Sequence, residues 1–205
     1  MIRQVCFSFV VAVIAAGCWD ADPRSVRGAL DLASRAVEAG DAHQLFKVVD
    51  ERARHAMISI VQDRRAAAAL VREAYPPAEQ AAALRALGDA AEVADAAGLF
   101  ARRCTAPCMA QIRSQLGAPV EQTPDGDEVV VRTSRGGTLR MHAGSDTWWG
   151  LVWNTEALSR ERDRAAQQLR QIESNAEVYR RRRALELSAD SETGSPSQGS
   201  TPSSR

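Results

Sequence analysis

The sequence has no excess of charge and few residues of the kind that build metal or catalytic sites. Its 26 basic and 26 acidic residues give a formal net charge of zero, so electrostatics gives no reason to expect nucleic-acid binding. The histidines, His43, His55 and His142, form no cluster and no HExxH pattern. No P-loop, Gly-x-Ser-x-Gly or dinucleotide-binding fingerprint occurs. We therefore expect no metal, no cofactor and, on balance, no enzymatic activity.

The longest apolar run is too short to cross a membrane. It extends from Val5 to Ala16, which is about a dozen residues, whereas a spanning helix needs roughly 20. Arg3 precedes the run and small residues follow it, an arrangement typical of an export signal.

Cys18 follows this segment directly, and the boundary Ala15-Ala16-Gly17-Cys18 resembles the lipobox of a bacterial lipoprotein. The resemblance implies cleavage before Cys18, a diacylglyceryl group on its thiol and an acyl chain such as palmitate on its amine. It also implies anchoring of Cys18 in the bilayer of the bacterial cell envelope, on the periplasmic or outer side of an inner or outer membrane. An uncleaved anchor and an ordinary secretory signal are the alternatives.

Cys104 and Cys108 are the remaining pair of cysteines in the exported part of the chain. Export exposes them to oxidising conditions, so the pair favours a disulfide. The alternative is a thiol-redox or copper site, in which His142, Met109 and Met141 would be further soft or imidazole ligands.

Residues 22–116 show helical spacing of apolar side chains between clear start and stop signals. A change to alternating patterns and turn residues then predicts an antiparallel β-meander over 120–153. The helix starts are expected at four aspartates: Asp22, Asp41, Asp50 and Asp95. The last strand is expected over 148–153.

Trp148, Trp149 and Trp153 in that last strand are a candidate platform for a sugar or an aromatic ligand. Alternation places Trp149 and Trp153 on one face and Trp148 on the other. Packing in the core is the favoured alternative, because strands and cores are both rich in aromatic residues.

Residues 154–187 predict a long, mostly polar helix whose thin apolar stripe runs from Leu158 to Tyr179. Arg162 interrupts the stripe, which disfavours a strong coiled coil. The arginines at 180–183 are expected to lie at a solvated helix end. The alternative is that they contact anionic lipid or a cell-wall polymer. Residues 188–205 are rich in Ser, Pro and Gly and predict a disordered tail.

Two segments resemble NTF2-like, cystatin-like domains. The stretch Ala36–Ala42 and the following Asp50–Arg54 resemble the helical opening of that family, and Glu128–Trp153 resembles its later strands. The resemblance implies an α+β fold in which a sheet covers a pocket, and it assigns no functional residue.

Together these patterns predict an α+β protein with N-terminal helices on a small meander. The leading hypothesis is a non-enzymatic envelope lipoprotein that binds or scaffolds an envelope protein or a cell-wall partner. That hypothesis requires an exposed apolar stripe over 158–179. A ligand-binding or enzymatic NTF2-like pocket and a thiol or copper protein are the alternatives. The expected segments are a signal (1–17), a lipidated linker (18–21), the α+β domain (22–153), the long helix (154–187) and the tail (188–205).

Overall fold

The computed structural model describes the backbone of residues 21–193 and the side chains to residue 189. The predicted signal, Cys18 and residues 194–205 of the predicted tail lie outside this range. The described chain is α+β, as predicted, with four strands in one antiparallel sheet. Its helices are α1 (Val26–Glu38), α2 (Ala42–Lys47), α3 (Glu51–Ala74), α4 (Pro77–Ala86), α5 (Ala96–Arg103), α6 (Ala106–Gln115) and α7 (Thr155–Thr193). Its strands are β1 (Pro119–Asp125), β2 (Glu128–Thr133), β3 (Thr138–Ala143) and β4 (Trp149–Leu151).

Side-chain caps explain where several helices begin. Asp41, Asp50 and Asp95 each accept a hydrogen bond from a backbone amide two or three residues later, which confirms three of the four predicted starts. The fourth prediction was wrong: Ser25, not Asp22, caps α1. Asp22 instead accepts a hydrogen bond from the Arg24 amide, so the chain makes a turn before the helix.

The sheet has the order β1-β2-β3-β4, with every neighbouring pair antiparallel. The segment before α3 lies along the outer edge of β4, where the Asp50 amide donates to the Leu151 carbonyl at 2.8 Å. This approach requires Gly150, because a Cβ there would lie 2.6 Å from the Asp50 Cα. The predicted strand 148–153 is shorter in the structure, since β4 covers 149–151 alone.

One face of the sheet packs on the helices and forms the main core. Along β3, Leu139 and Met141 are buried while Arg140 is exposed, as the alternation predicts. Apolar side chains from α1, α2, α3 and α5 cover this face, and the fully buried members include Leu30, Leu45, Met57, Ile60, Leu99 and Phe100.

Helix α7 lies parallel to α3 and forms a second core with it and α4. Three side-chain hydrogen bonds join the two helices from the start of α3 to the end of α3. They are Thr155 to Asp50, Arg64 to Gln168 and Arg180 to Glu73. The stripe residues Leu158, Ala165, Ile172 and Ala176 are buried. The apolar stripe that a partner was expected to bind is therefore covered by the chain's own helices.

Beyond this contact, α7 continues past the end of α3. Residues 181–189 are all exposed, and the helix runs to Thr193. The predicted tail boundary at 188 was wrong for 188–193, because the helical hydrogen bonds continue through the serine- and acid-containing stretch. No helix among residues 21–193 combines the length and apolar character needed to cross a bilayer.

Candidate functional site

The two cysteines of the domain are bonded to each other. Their Sγ atoms lie 2.03 Å apart, and the bridge links the residue that follows α5 to the first turn of α6. In this state neither thiol is free for a metal or for redox exchange. Within residues 21–193, no group of three or more His, Cys, Asp or Glu side chains is arranged to hold a metal ion.

The structure separates the three tryptophans of the predicted platform. Trp148 and Trp149 line one groove together, whereas Trp153 lines a different cavity. Trp149 and Trp153 both pack against the main core, as the favoured alternative of core packing predicts, whereas Trp148 is exposed. A left-handed backbone at Asn154 (φ 50°) then turns the chain into α7.

The first of these sites, the Trp148 groove, is an apolar depression of about 400 Å³. Trp148 is 44% exposed at this groove. Three charged side chains, Arg35, Asp41 and Lys47, line the groove as well. Its apolar lining is Pro23, Leu32, Ala36, Ala39, Val48, Trp148 and Trp149.

The second site, the sheet–helix cavity, lies between the meander and helices α2, α5 and α6 and measures about 340 Å³. Trp153 contacts Phe100 edge-on, with ring centroids 4.9 Å apart. Polar side chains that line the cavity are Arg103, Gln111, Gln115 and Asn154. The cavity thus combines an aromatic wall with amide and guanidinium groups, as small-ligand sites do.

Arg103 of this cavity is held by two carboxylates. It donates to both oxygens of Glu161 on α7 at 2.8 Å and to both oxygens of Asp89 at 2.9 and 3.1 Å. These hydrogen bonds, first that to Glu161 and then that to Asp89, raise the pKa of Arg103. The same contact lowers the pKa of Asp89. Arg103 therefore stays charged and joins α5 to α7.

The lowered pKa of Asp89 predicts a specific pH dependence. Its bond to Arg103 contributes stability above the unfolded-state pKa of about 4, and this contribution is lost as the pH falls through the lower folded-state pKa. Arg103→Ala should cost about 1–2 kcal/mol at neutral pH. That cost should shrink as the pH is lowered below 4, as measured by urea unfolding of both proteins.

Arg132 provides the matched control for this experiment. Its ion pair with Glu121 is exposed on both sides, so Arg132→Ala should change stability little at any pH. A cost for Arg103→Ala that stays constant down to pH 2 would contradict the role assigned to the Asp89 carboxylate.

The third site, the Asp50 cluster, is polar and joins the start of α3 to the outer face of the sheet. Asp50 is fully buried and accepts hydrogen bonds from Arg52 Nε at 2.8 Å and Thr155 Oγ1 at 3.3 Å. The Nδ1 atom of His142 lies 3.1 Å from Asp50 Oδ1. That approach falls outside hydrogen-bond geometry, so Nδ1 is buried without a hydrogen-bond partner.

The outer part of the Asp50 cluster is a chain of ion pairs. Glu128 accepts from Arg52 at 2.7 Å and from Arg140 at 2.6 Å. Burial alone would raise the pKa of Glu128, but the hydrogen bonds from these two arginines lower it overall. Arg52 also donates through Nη1 to Asp127, and Arg140 donates through Nη2 to Asp125. Both arginines are thus paired with two or more carboxylates, which is the arrangement of a structural brace.

The sequence indicated parts of this cluster but not the whole. It predicted Asp50 as a helix start, and alternation along β3 places Arg140 and His142 opposite the buried Leu139 and Met141. It did not predict that the loop before α3 adds to the edge of β4. That contact between distant segments brings Asp50 to His142, and no local pattern encodes it.

Comparisons with known proteins add no assignment to this geometry. No family model, curated protein or solved structure matches the chain.

Proposed function

We propose that this chain is a lipid-anchored protein of the bacterial cell envelope and that its folded domain binds a partner rather than catalysing a reaction. Support for the location comes from the export-signal pattern that ends at Cys18. The bond between Cys104 and Cys108 suits an oxidising compartment. The acyl chains implied at Cys18 would hold the domain at the membrane, since two or more chains give stable anchoring.

The observation that carries the binding role is the exposed end of α7. Contacts with the rest of the domain continue to Tyr179, whose ring lies 4.8 Å from that of Tyr75, and to Arg183, which donates to the Ala74 carbonyl. Beyond them the helix extends past α3.

One side of the exposed end of α7, over residues 178–185, combines apolar and basic residues. Val178, Arg181, Arg182 and Leu185 follow the i, i+3, i+4, i+7 spacing of one helix face, and we call them the Val178–Leu185 face. Val178 is 55% and Leu185 is 72% exposed. Such a face fits an acidic surface with an apolar patch on a second envelope protein. It replaces the buried 158–179 stripe as the proposed partner surface.

Site-specific photo-crosslinking in native membranes tests this proposal. A photoreactive residue at Leu185 should give a discrete crosslinked product. The same residue at Leu187, which is 65% exposed but about half a turn away around the helix, is the matched control and should not give it. Cys18→Ser should reduce the product by removing the anchor. Equal products at the two positions, or none at either, would reject the Val178–Leu185 face.

The sheet–helix cavity supports a second candidate function, the binding of a small ligand. Its Trp153 wall and the polar groups of Gln111 and Asn154 are what a sugar or muropeptide would need, namely a stacking surface beside hydrogen-bonding amides. Titration with glycans and muropeptides, followed by tryptophan fluorescence, checks it. An unchanged spectrum across the panel would leave the partner-binding role alone.

A further inference from the structure

The first described residues of the chain are fixed beside the tryptophans of the Trp148 groove. The backbone amide of Trp149 donates to the Pro23 carbonyl at 2.8 Å, and Pro23 itself lines the groove. The chain therefore enters the fold at this groove. A lipid attached to a residue shortly before Pro23 is therefore tethered within a few residues of Trp148 and Trp149.

The distance from the anchor to the groove is limited by covalent geometry. Cys18 precedes Pro23 by five residues, and five residues span at most about 18 Å. A bilayer that holds acyl chains on Cys18 thus lies within this distance of the groove. The end of α3 and the extension of α7 carry no such constraint.

The side chains around the groove suit the surface of a phospholipid bilayer. Trp148 is the most exposed aromatic residue in the described domain, and tryptophan concentrates at the level of lipid headgroups. The exposed cations Arg35 and Lys47 line the same groove, and its one carboxylate, Asp41, is engaged as the cap of α2. Long cationic side chains extend toward headgroup phosphates while their stems contact apolar surface.

We propose that the Trp148 groove docks on the bilayer that anchors Cys18, with phospholipid as its occupant. The Trp148 indole inserts at the headgroup level, and Arg35 and Lys47 contact lipid phosphates. This docking rests on the proposed anchoring and adds an orientation to it: the groove faces the membrane. The Val178–Leu185 face then lies on an element that is not tied to the anchor and can meet a partner.

Quenching of tryptophan fluorescence by brominated phospholipid tests the docking independently of natural acylation. The described fold lies within residues 21–193, so a chain of residues 18–205 retains all of it. Its Cys18 is the one thiol outside the disulfide and can be coupled to a maleimide phospholipid in vesicles of phosphatidylcholine and phosphatidylglycerol. Trp19→Phe in every sample removes the indole beside the anchor.

Three proteins are compared in these vesicles: the Trp19→Phe parent, the same chain with Trp148→Phe, and the same chain with Trp153→Phe. Bromine in the upper acyl chain should quench the parent. Trp148→Phe should reduce the quenched fraction roughly two-fold or more, because the headgroup-level indole is gone, and Trp153→Phe should leave it unchanged or higher.

An unquenched parent, or equal quenching in the two variants, would overturn the docking even if natural lipidation is established. Conversely, quenching in the coupled protein would support the docking even if Cys18 proved unmodified in cells. The two proposals therefore fail separately.

Discussion

Replacing Phe100 with alanine should lower the free energy of unfolding by about 3–5 kcal/mol, the cost of truncating a fully buried phenylalanine. The Phe100 ring is completely buried and contacts Phe46 and Trp153, with ring centroids 5.7 and 4.9 Å away. Phe100 separates the core from the sheet–helix cavity, so its loss opens a void that neighbouring side chains cannot refill. Urea unfolding followed by circular dichroism measures the change.

Val120 gives the control for the Phe100 experiment. It is an apolar residue exposed on β1, and Val120→Ala should change the free energy of unfolding by less than about 0.5 kcal/mol. If Phe100→Ala lowers the free energy of unfolding no more than Val120→Ala does, the helices do not pack on the meander as described. Phe100 would then not line the sheet–helix cavity.

Replacing Asp50 with alanine should cost about 3 kcal/mol. The carboxylate caps α3, and a lost cap costs about 1 kcal/mol. It also accepts one charge-assisted hydrogen bond from Arg52 Nε and a bond from Thr155, and bonds to charged groups contribute about 1.5–3 kcal/mol. The same unfolding measurement applies, because Asp50 joins α3, α7 and the sheet.

Two further variants, Asp50→Asn and Asp125→Ala, are compared with Asp50→Ala. Asp50→Asn keeps the size and the capping oxygen but loses the charge, so its cost should fall between zero and that of Asp50→Ala. Asp125→Ala removes an exposed carboxylate from the outer part of the Asp50 cluster and should have a much smaller effect. Similar costs for Asp50→Ala and Asp125→Ala would mean that the cluster does not brace the fold.

Local signals in the sequence predicted most of the elements but not their packing. The caps at Asp41, Asp50 and Asp95 are decided by contacts within a few residues, so pattern and propensity suffice. The meander was predicted for the same reason, because its turn residues and alternation are local. Ser25 rather than Asp22 caps α1 because a turn, in which the Ser25 amide donates to the Asp22 carbonyl, comes before the helix.

The candidate sites depend on contacts that no local pattern contains. The thin stripe of α7 suggested an exposed helix, but alanines at Ala67, Ala68 and Ala176 are buried between α3 and α7, and small side chains allow a close approach of two helices. Likewise, the sequence placed three tryptophans on one strand. In the structure they lie at two separate sites, because β4 is short and the Trp149 amide is hydrogen-bonded to Pro23.

We infer that Cys18 is the lipidated first residue of the mature protein. Intact-mass and tandem mass spectrometry of the protein purified from native membranes measure this modification. We expect a chain that begins at residue 18, carries the mass of a diacylglyceryl group on Cys18 and retains the Cys104–Cys108 bridge. A chain that keeps Met1, or one cut at another residue with an unmodified Cys18, would contradict it.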